Sequence, residues 1–293
     1  MIIIPENLEI HKPDKSLENI VNNTKIKEKV LFKKESDFHN IFVVKNNFGT
    51  FLKYKDTYQA GYFDTKYYRG NIPYVNYFLL SYLLNSKIEK ILFIGFGSGI
   101  IINQFEKLFS NLKTIDIVDI EENVFALSEK FFNFKISDKM NFYLQDAIVY
   151  LKTTKKKYDL IVVDVAGDNG IDERFVEDEY FELVKKHLKK KGVFISNLPS
   201  SRDIFNPKNK VFLEILDRYK KNFSDISLFN GETSNKIYYK TFFNIDKPVF
   251  DITNAILFSS CFEQNFSLDK KIDKLFNISS NDYLSDKIEI QRN

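Results

Sequence analysis

The sequence has one cysteine, Cys261, and only three histidines. A single cysteine excludes a disulfide bond within the chain and a metal site built from several thiolates. The three histidines, His11, His39 and His187, are far apart and form no pair with metal-ligand spacing. We therefore expect no metal. Cys261 lies in an apolar stretch and is predicted to be a small core residue.

Long apolar runs are also missing. No segment reaches the roughly 18 to 20 apolar residues that cross a bilayer. The apolar N-terminal residues end at Pro5, which leaves too few for a secretory signal. From these absences we expect a cytoplasmic protein with no membrane partner.

Charge of one sign is not concentrated either. The 293 residues include 43 basic and 40 acidic side chains, for a net charge of +3. The lysine runs 155–157 and 189–191 contain no aromatic residue, so they are predicted to be solvated loops rather than a nucleic-acid surface. Hydrophobic residues make up 44% of the chain, enough for the core of one large or two modest domains.

The most informative stretch is residues 91–119. An apolar run ends in Gly95, Gly97 and Gly99, a helical pattern follows, and a second apolar run ends in Asp119. Glycines allow a tight turn close to a ligand, and an acid about 20 residues further on is placed to accept hydrogen bonds from ribose hydroxyls. This order predicts the start of a nucleotide-binding βαβ unit. The alternative is a glycine-rich turn that binds nothing.

The spacing of the glycines narrows the choice of nucleotide. Ile100 stands where a dinucleotide-binding turn has its third glycine, and the chain has no G-x-x-x-x-G-K-[ST] sequence. An adenosyl sulfonium compound, which has no pyrophosphate, fits this shorter turn better. The predicted nucleoside site contains Gly95, Gly97, Ser98 and Gly99 from the turn.

Hydrophobic periodicity predicts an α/β fold in two parts. Residues 1–72 are expected to form an antiparallel β domain behind a polar leader, with a hairpin turn at Asn46–Gly49 and an aromatic connector over 58–69. Residues 73–293 are expected to form a Rossmann-like catalytic domain with a mostly parallel sheet, opened by Pro73 at the start of a helix. Its predicted strands are 91–95, 114–119, 140–144, 159–164, 192–197, 224–230 and 236–244. Its predicted helices are 101–109, 122–132, 147–153, 178–188 and 208–220.

Acids at or just after the ends of consecutive predicted strands mark the ligand-binding edge of such a sheet. Asp119 is expected to bind ribose. Asp146, with Ala147 beside it, could accept from an adenine amino group, could cap the following helix, or could do both.

Two further acids are the candidates for chemistry. Asp164 ends an apolar strand and Asp168 follows it in a glycine-containing loop. A pair of poorly solvated carboxylates suits a cationic amine, and one of them could take its proton. Asp168 could instead belong only to a turn.

In these features the sequence resembles the spermidine synthase family, the aminopropyltransferases. The likeness runs from about residue 38 to 197 and is carried by HNIFVVKNNFGTFLKYKDTYQAG, ILFIGFGSG, VDIEENV, the QDA turn, VVDVAGD and FVEDEYFELVKKHLKKKGVF. It implies a small N-terminal β domain, a seven-stranded class I methyltransferase-like domain and a homodimer. The implied reaction transfers an aminopropyl group from decarboxylated S-adenosylmethionine to a diamine such as putrescine, with no tightly bound cofactor.

The resemblance also implies roles for individual residues. Gln59 would contact the nucleoside substrate, Asp119 the ribose and Asp146 the adenine. Asp164 would be the catalytic base, and Asp168 the second acid of a gatekeeping loop. Tyr74 and Tyr239 are candidates for orienting the amine.

The chain departs from the family pattern at Ser98, where an aspartate usually holds the aminopropyl ammonium. Val75 replaces a common histidine, and Asp164 and Asp168 are four residues apart rather than three. A neutral Ser98 removes a repulsion against the carboxylate of intact S-adenosylmethionine. Two alternatives therefore stand beside aminopropyl transfer: a methyltransferase that uses intact S-adenosylmethionine, and a nucleoside-binding protein without catalysis.

Overall fold

The structure is a computed structural model, and it describes residues 27–36, 38, 40–55, 57–64, 69–165, 172–201, 208–230, 252–270, 272–273, 284 and 287–288. The first part of the chain forms an antiparallel five-stranded sheet in the order β1-β2-β3-β4-β5. Its strands are β1 (Lys29–Glu35), β2 (Asn40–Asn46), β3 (Gly49–Tyr54), β4 (Thr57–Asp64) and β5 (Arg69–Asn71).

The predicted hairpin joins β2 and β3. Asn46 pairs with Gly49, and the Asn46 side-chain Oδ1 accepts a hydrogen bond from the Phe48 N–H at 2.9 Å. The prediction of an aromatic connector over 58–69 was wrong, because most of it is the strand β4. Buried positions recur along β4 among partly exposed ones, and its backbone pairs with β3, so Tyr58 and Phe63 serve as core residues of a sheet.

The rest of the described chain alternates helices and strands. The helices are the 3-10 helix η1 (Pro73–Leu80), α1 (Ser81–Leu84), α2 (Ile100–Leu108), α3 (Asn123–Phe131), α4 (Ala147–Thr153), the 3-10 helix η2 (Glu173–Phe175), α5 (Asp178–His187) and α6 (Lys210–Asn222). The strands are β6 (Lys90–Ile94), β7 (Thr114–Asp119), β8 (Met140–Leu144), β9 (Tyr158–Val163), β10 (Leu188–Ser201), β11 (Asp225–Asn230), β12 (Ile252–Ser260) and β13 (Lys287–Ile288).

These eight strands form one sheet in the order β13-β11-β12-β10-β9-β6-β7-β8. Strands β10, β9, β6, β7 and β8 run parallel, whereas β12, β11 and β13 are joined antiparallel at one end. Because β6 leads to β7 on one side and β9 lies on the other, the strand order reverses at β6. In open sheets of this kind, ligands bind at the carboxyl ends of the strands beside such a reversal.

The predicted elements of this part agree with the structure to within two residues at most ends, and Pro73 does open the helical stretch. The predicted strand 236–244 lies outside the described residues. A strand that was not predicted, β12, lies between β10 and β11. Cys261 was wrongly predicted as a core residue: it follows the end of β12 and is exposed.

Buried side chains lie on both faces of the large sheet. On one face, residues of the N-terminal sheet, η1, α2 and α3 form a continuous apolar cluster, so the two sheets share a core. On the other face, α4, α5 and α6 pack against β9 and β10. This shared core fixes β4 against the carboxyl end of β6.

The lysine runs are more structured than predicted. Lys156 lies in a loop, but its Nζ donates to the Oδ2 of the buried Asp116 at 2.8 Å, and the hydroxyls of Tyr150 and Tyr158 donate to the same oxygen. Lys189 is part of β10, and its Nζ lies 2.8 Å from the Oδ2 of Asp159. Both lysines therefore compensate for the negative charge of carboxylates in the sheet.

Among the described residues, no helix is long and apolar enough to cross a membrane, and no three potential metal-ligating side chains come together.

Candidate active site

The glycine turn connects β6 to α2 and lies against two other strands. Gly95 has φ +88°, and a Cβ there would lie 2.2 Å from the carbonyl oxygen of Asp164, so only glycine fits between β6 and the end of β9. Gly97 has φ +54°, and a Cβ there would lie 3.2 Å from the Cβ of Ala60 in β4. The turn is therefore closed on one side by Asp164 and on the other by the N-terminal sheet.

Aromatic packing also fixes the glycine turn. The ring of Phe96 is buried and packs with Phe125, Phe134 and Phe142 at centroid distances of 5.0 to 6.0 Å. Ser98 is buried in the same turn. These contacts fix the backbone of the turn through side-chain packing, and such preorganisation lowers the entropy cost of binding.

Asp119 ends β7 directly beside the turn. Its Oδ2 accepts a hydrogen bond from the Phe96 N–H at 2.7 Å, and its Oδ1 accepts one from the Glu121 N–H at 2.8 Å. Burial raises the pKa of Asp119, and these backbone donors offset only part of that effect. Each oxygen keeps a lone pair, so the carboxylate can still accept a hydrogen bond, and its role in binding ribose stays a prediction.

Tyr54 lies close to the same acid. Burial, together with the negative charges of Asp119 and Glu121, raises the pKa of Tyr54 well above its usual value. The tyrosine therefore stays protonated and brings a hydroxyl group from β3 to the carboxyl edge of the large sheet.

Asp146 is the N-cap residue of α4, which confirms the prediction that it caps this helix. Its Oδ1 accepts hydrogen bonds from the N–H groups of Ile148 at 2.9 Å and Val149 at 3.1 Å. Its Oδ2 accepts from the Nη1 of Arg174 at 2.8 Å. Burial alone would raise the pKa of Asp146, but the Val149 N–H and Arg174 outweigh it and lower the pKa. Ala147, the first residue of α4, is buried beside it.

Asp164 follows the last residue of β9 and is contacted by two side chains. The hydroxyl of Tyr74, on η1, donates to Oδ2 at 3.1 Å, and the Nδ2 of Asn197, in β10, donates to Oδ1 at 2.9 Å. Burial raises the pKa of Asp164, and the hydrogen bonds from Asn197 and Tyr74 lower it by less. Among the described residues, no basic side chain pairs with Asp164. A carboxylate in this state attracts a cation from solution.

Asn197 was not predicted as a site residue. Its Oδ1 is buried and has no hydrogen-bond partner among the residues that the structure describes, although its Nδ2 is fixed by Asp164. An unpartnered buried acceptor next to a carboxylate marks a place where a ligand N–H could bind. The only sequence signal was its position at the end of the strand adjacent to β9, since asparagine is common in loops and caps.

The structure thus brings Gly95, Ser98, Asp119, Asp146 and Asp164 to one edge of the sheet, at the carboxyl ends of its parallel strands. Gln59 lies on β4, half-buried and next to the Ala60 that faces Gly97. The predicted residues Asp168 and Tyr239 lie outside the described residues.

This fold and the polar groups at its carboxyl edge define a class I methyltransferase-like α/β protein with an added N-terminal β sheet. Residues 79–234, more than half of the chain, match the family model described as spermine/spermidine synthase domain. The chain therefore belongs to the spermine/spermidine synthase family.

Relatives and solved structures agree with that membership. A polyamine aminopropyltransferase of Buchnera aphidicola is 27% identical over 210 residues, which is 70% of each chain. The spermine synthase of Saccharomyces cerevisiae is 29% identical over 207 residues, 63% of this chain and 66% of the relative. The crystal structure of spermidine synthase from Thermotoga maritima superposes with a TM-score of 0.68 at 16% identity and covers 89% of this chain and 85% of that one. The structural likeness confirms the predicted fold.

Proposed function

We propose that this protein is an aminopropyltransferase that moves an aminopropyl group from decarboxylated S-adenosylmethionine to a diamine, putrescine being the family's usual acceptor. The observation that carries the proposal is the Asp164 cluster. The carboxylate of Asp164 is desolvated, is fixed by Tyr74 and Asn197, and has no basic partner among the described residues. The backbone of Asp164 also packs directly against Gly95 of the glycine turn. Family membership and the relatives' names support the same activity.

The donor would bind as a co-substrate, not as a tightly held cofactor. Its adenosine would lie over Gly95, Gly97, Ser98 and Gly99, with the ribose at Asp119 and the adenine at Asp146 and Ala147. Gln59 would contact it from β4. Because Gly95 also touches the backbone of Asp164, a donor in the turn places its sulfur substituents near the carboxylate.

The amine would bind against Asp164, with Tyr74 as a hydroxyl neighbour and the unpartnered Oδ1 of Asn197 as a second acceptor. Once the bound ammonium group has given up a proton, its nitrogen forms a bond to the donor carbon next to the sulfonium. The bond from that carbon to sulfur breaks, and the electron pair stays on sulfur, which leaves methylthioadenosine. The proton that the nitrogen must lose passes to a carboxylate oxygen of Asp164.

The electrostatics of the cluster suit both parts of this role. Burial raises the pKa of Asp164 toward that of an amine, so proton transfer is less unfavourable than to a solvated carboxylate. The same lack of solvation strengthens the attraction of the ionised carboxylate for the cationic amine. Asp168 and Tyr239, which lie outside the described residues, remain predicted to orient the amine further.

Ser98 is the feature that bears on the choice of donor. A neutral side chain in the turn provides no charge to hold the aminopropyl ammonium of the donor. The homodimer that the resemblance implies and a cytoplasmic location remain predictions. Light scattering on the purified full chain measures the first directly.

Product analysis by mass spectrometry tests the proposed reaction. The purified protein is incubated with decarboxylated or intact S-adenosylmethionine, each with a panel of diamines. We expect methylthioadenosine and an aminopropylated amine only when the decarboxylated donor and a diamine are both present. Formation of S-adenosylhomocysteine from the intact donor would overturn the proposal and would identify Ser98 as the residue that permits a methyl donor.

A further inference from the structure

One basic side chain connects the predicted adenine subsite to the segment before α5. Arg174, in η2, donates from Nη1 to the Oδ2 of Asp146 at 2.8 Å. Its Nη2 donates to the Oδ2 of Asp172 at 2.7 Å, and its Nε lies 3.1 Å from the Oδ1 of the same residue. The planar guanidinium is thereby fixed between two carboxylates from different parts of the chain.

The two carboxylate oxygens of Asp146 accept different hydrogen bonds. Oδ1 already accepts from the N–H groups of Ile148 and Val149, at the start of α4. Among the described residues, Oδ2 accepts only from Arg174, so it is the oxygen with a lone pair left for a ligand. The side chain of Asp146 is 25% exposed, so the carboxylate is only partly covered by the described residues.

Contacts with neighbours in the sequence also hold Arg174 in place. Asp172 orients it through the side chain and accepts a further hydrogen bond from the Arg174 N–H at 3.1 Å. The guanidinium carbon lies 5.8 Å from the centre of the Phe175 ring. Two N–H groups of the guanidinium have no acceptor among the described residues, so it can accommodate a ligand next to Asp146 without giving up its present bonds.

We propose that Arg174 is a positioning residue of the nucleoside subsite, which holds the Oδ2 of Asp146 in place so that its remaining lone pair accepts from the exocyclic amino group of adenine. This inference rests on the proposed function, because it takes the bound nucleoside to be the adenosine part of the donor. Arg174 itself is not in contact with the reacting atoms.

The competing explanation is an ordinary exposed ion pair, since the Arg174 side chain is 56% exposed and such pairs contribute little to stability. The two explanations differ in what removal of the guanidinium does. Loss of an ordinary ion pair leaves nucleoside affinity unchanged. Loss of a positioning residue frees the Asp146 carboxylate to rotate and allows its pKa to rise, which weakens nucleoside binding most strongly at low pH.

The test is calorimetric titration of the full chain with methylthioadenosine as the probe, at several pH values. For Arg174→Ala we expect a dissociation constant about tenfold higher than wild type, the size of coupling common within one hydrogen-bonded network. Its acid-side loss of affinity should begin at higher pH. Arg174→Lys should restore part of the affinity, and Asp172→Asn should weaken binding in the same direction by less. In turnover, the KM for the donor should rise while kcat and the KM for the amine stay unchanged.

The exposed ion pair of Lys221 with Asp178 provides the control, since Lys221→Ala removes a comparable pair away from the site. Unchanged affinity and pH profile in Arg174→Ala, with wild-type protein binding normally, would overturn this inference alone. Tighter binding in Arg174→Ala would also overturn it, because Arg174 would then compete with the ligand for Asp146. A wild-type protein that binds no methylthioadenosine would overturn the proposed function and this inference together.

Discussion

Replacement of Gly95 by alanine tests how closely the glycine turn and the carboxylate of Asp164, the proposed base, are connected. The new Cβ would lie 2.2 Å from the carbonyl oxygen of Asp164 and 3.0 Å from the Val165 side chain. Since side-chain Cβ atoms hardly ever approach closer than 3.0 Å, the two backbones would have to separate by about 0.8 Å. Two backbone hydrogen bonds join these strand ends. The Gly95 N–H donates to the Val118 carbonyl oxygen and the Asp164 N–H donates to the Ile94 carbonyl oxygen, each at 2.9 Å.

The size of the effect follows from these contacts. The positive φ costs a residue with a side chain roughly 1 to 2 kcal/mol, and weakening two buried backbone hydrogen bonds costs about 0.5 to 1.5 kcal/mol each. We therefore expect Gly95→Ala to lower the free energy of unfolding by about 2 to 5 kcal/mol. A shift of nearly 1 Å at Asp164 should also lower kcat on the order of a hundredfold in whatever protein remains folded.

Urea denaturation provides the first measurement and steady-state kinetics the second. Gly97→Ala is the matched control, because its Cβ would meet only the Ala60 Cβ, at 3.2 Å, and its cost should be limited to the roughly 1 to 2 kcal/mol of the positive φ. If Gly95→Ala were no less stable than Gly97→Ala and kept a normal kcat, the contact between the turn and Asp164 would have no energetic consequence. The structural link on which the site depends would then be wrong.

Three further substitutions test the polar groups of the site. In Asp164→Asn the activity should be lost, while the thermal midpoint at pH 8 should rise by a few degrees. Because burial raises the pKa of Asp164 in the folded protein, the wild type loses stability as the pH rises through that pKa. The stability gain of the variant should therefore disappear in acid. A midpoint that falls equally at every pH would contradict this. Tyr74→Phe removes a hydrogen bond that lowers the pKa of Asp164, so the acid limb of kcat/KM should move to higher pH, and a limb that stays in place would show that Asp164 is not the titrating base. Asp146→Ala should cost about 1 kcal/mol of stability through the lost helix cap, measured by urea denaturation, and should raise the KM for the donor; loss of stability alone would reduce Asp146 to its structural role.

The sequence predicted the parallel half of the large sheet well. Apolar strands followed by glycine or an acid and then by an amphipathic pattern are local signals, and β7, β8 and α4 were predicted at their observed bounds. The position of the candidate site acids at one edge of the sheet was predictable for the same reason. Each lies just after an apolar run, and the carboxyl ends of parallel strands come together in space whatever the packing of the helices.

The missed features depend on tertiary contacts. Strand β12 was not recognised because only its pairing with β10 and β11 distinguishes ITNAILFSS from other apolar stretches. Strand β4 was taken for a connector because its aromatic residues obscured the recurrence of buried positions among partly exposed ones. Arg174 carried no local signal and Asn197 only its position at a strand end, since their contacts are with Asp146 and Asp164, which are 28 and 33 residues away.

The central claim, that Asp164 is the base for aminopropyl transfer, is tested most directly by single-turnover kinetics. Enzyme in excess is mixed with decarboxylated S-adenosylmethionine and putrescine, and methylthioadenosine is followed in wild type and in Asp164→Asn. We predict that the single-turnover rate of the variant is about 10² to 10⁴ lower than that of wild type, the usual contribution of a positioned base. Its affinity for methylthioadenosine should be unchanged. A variant that binds the nucleoside and forms methylthioadenosine at the wild-type rate would contradict it.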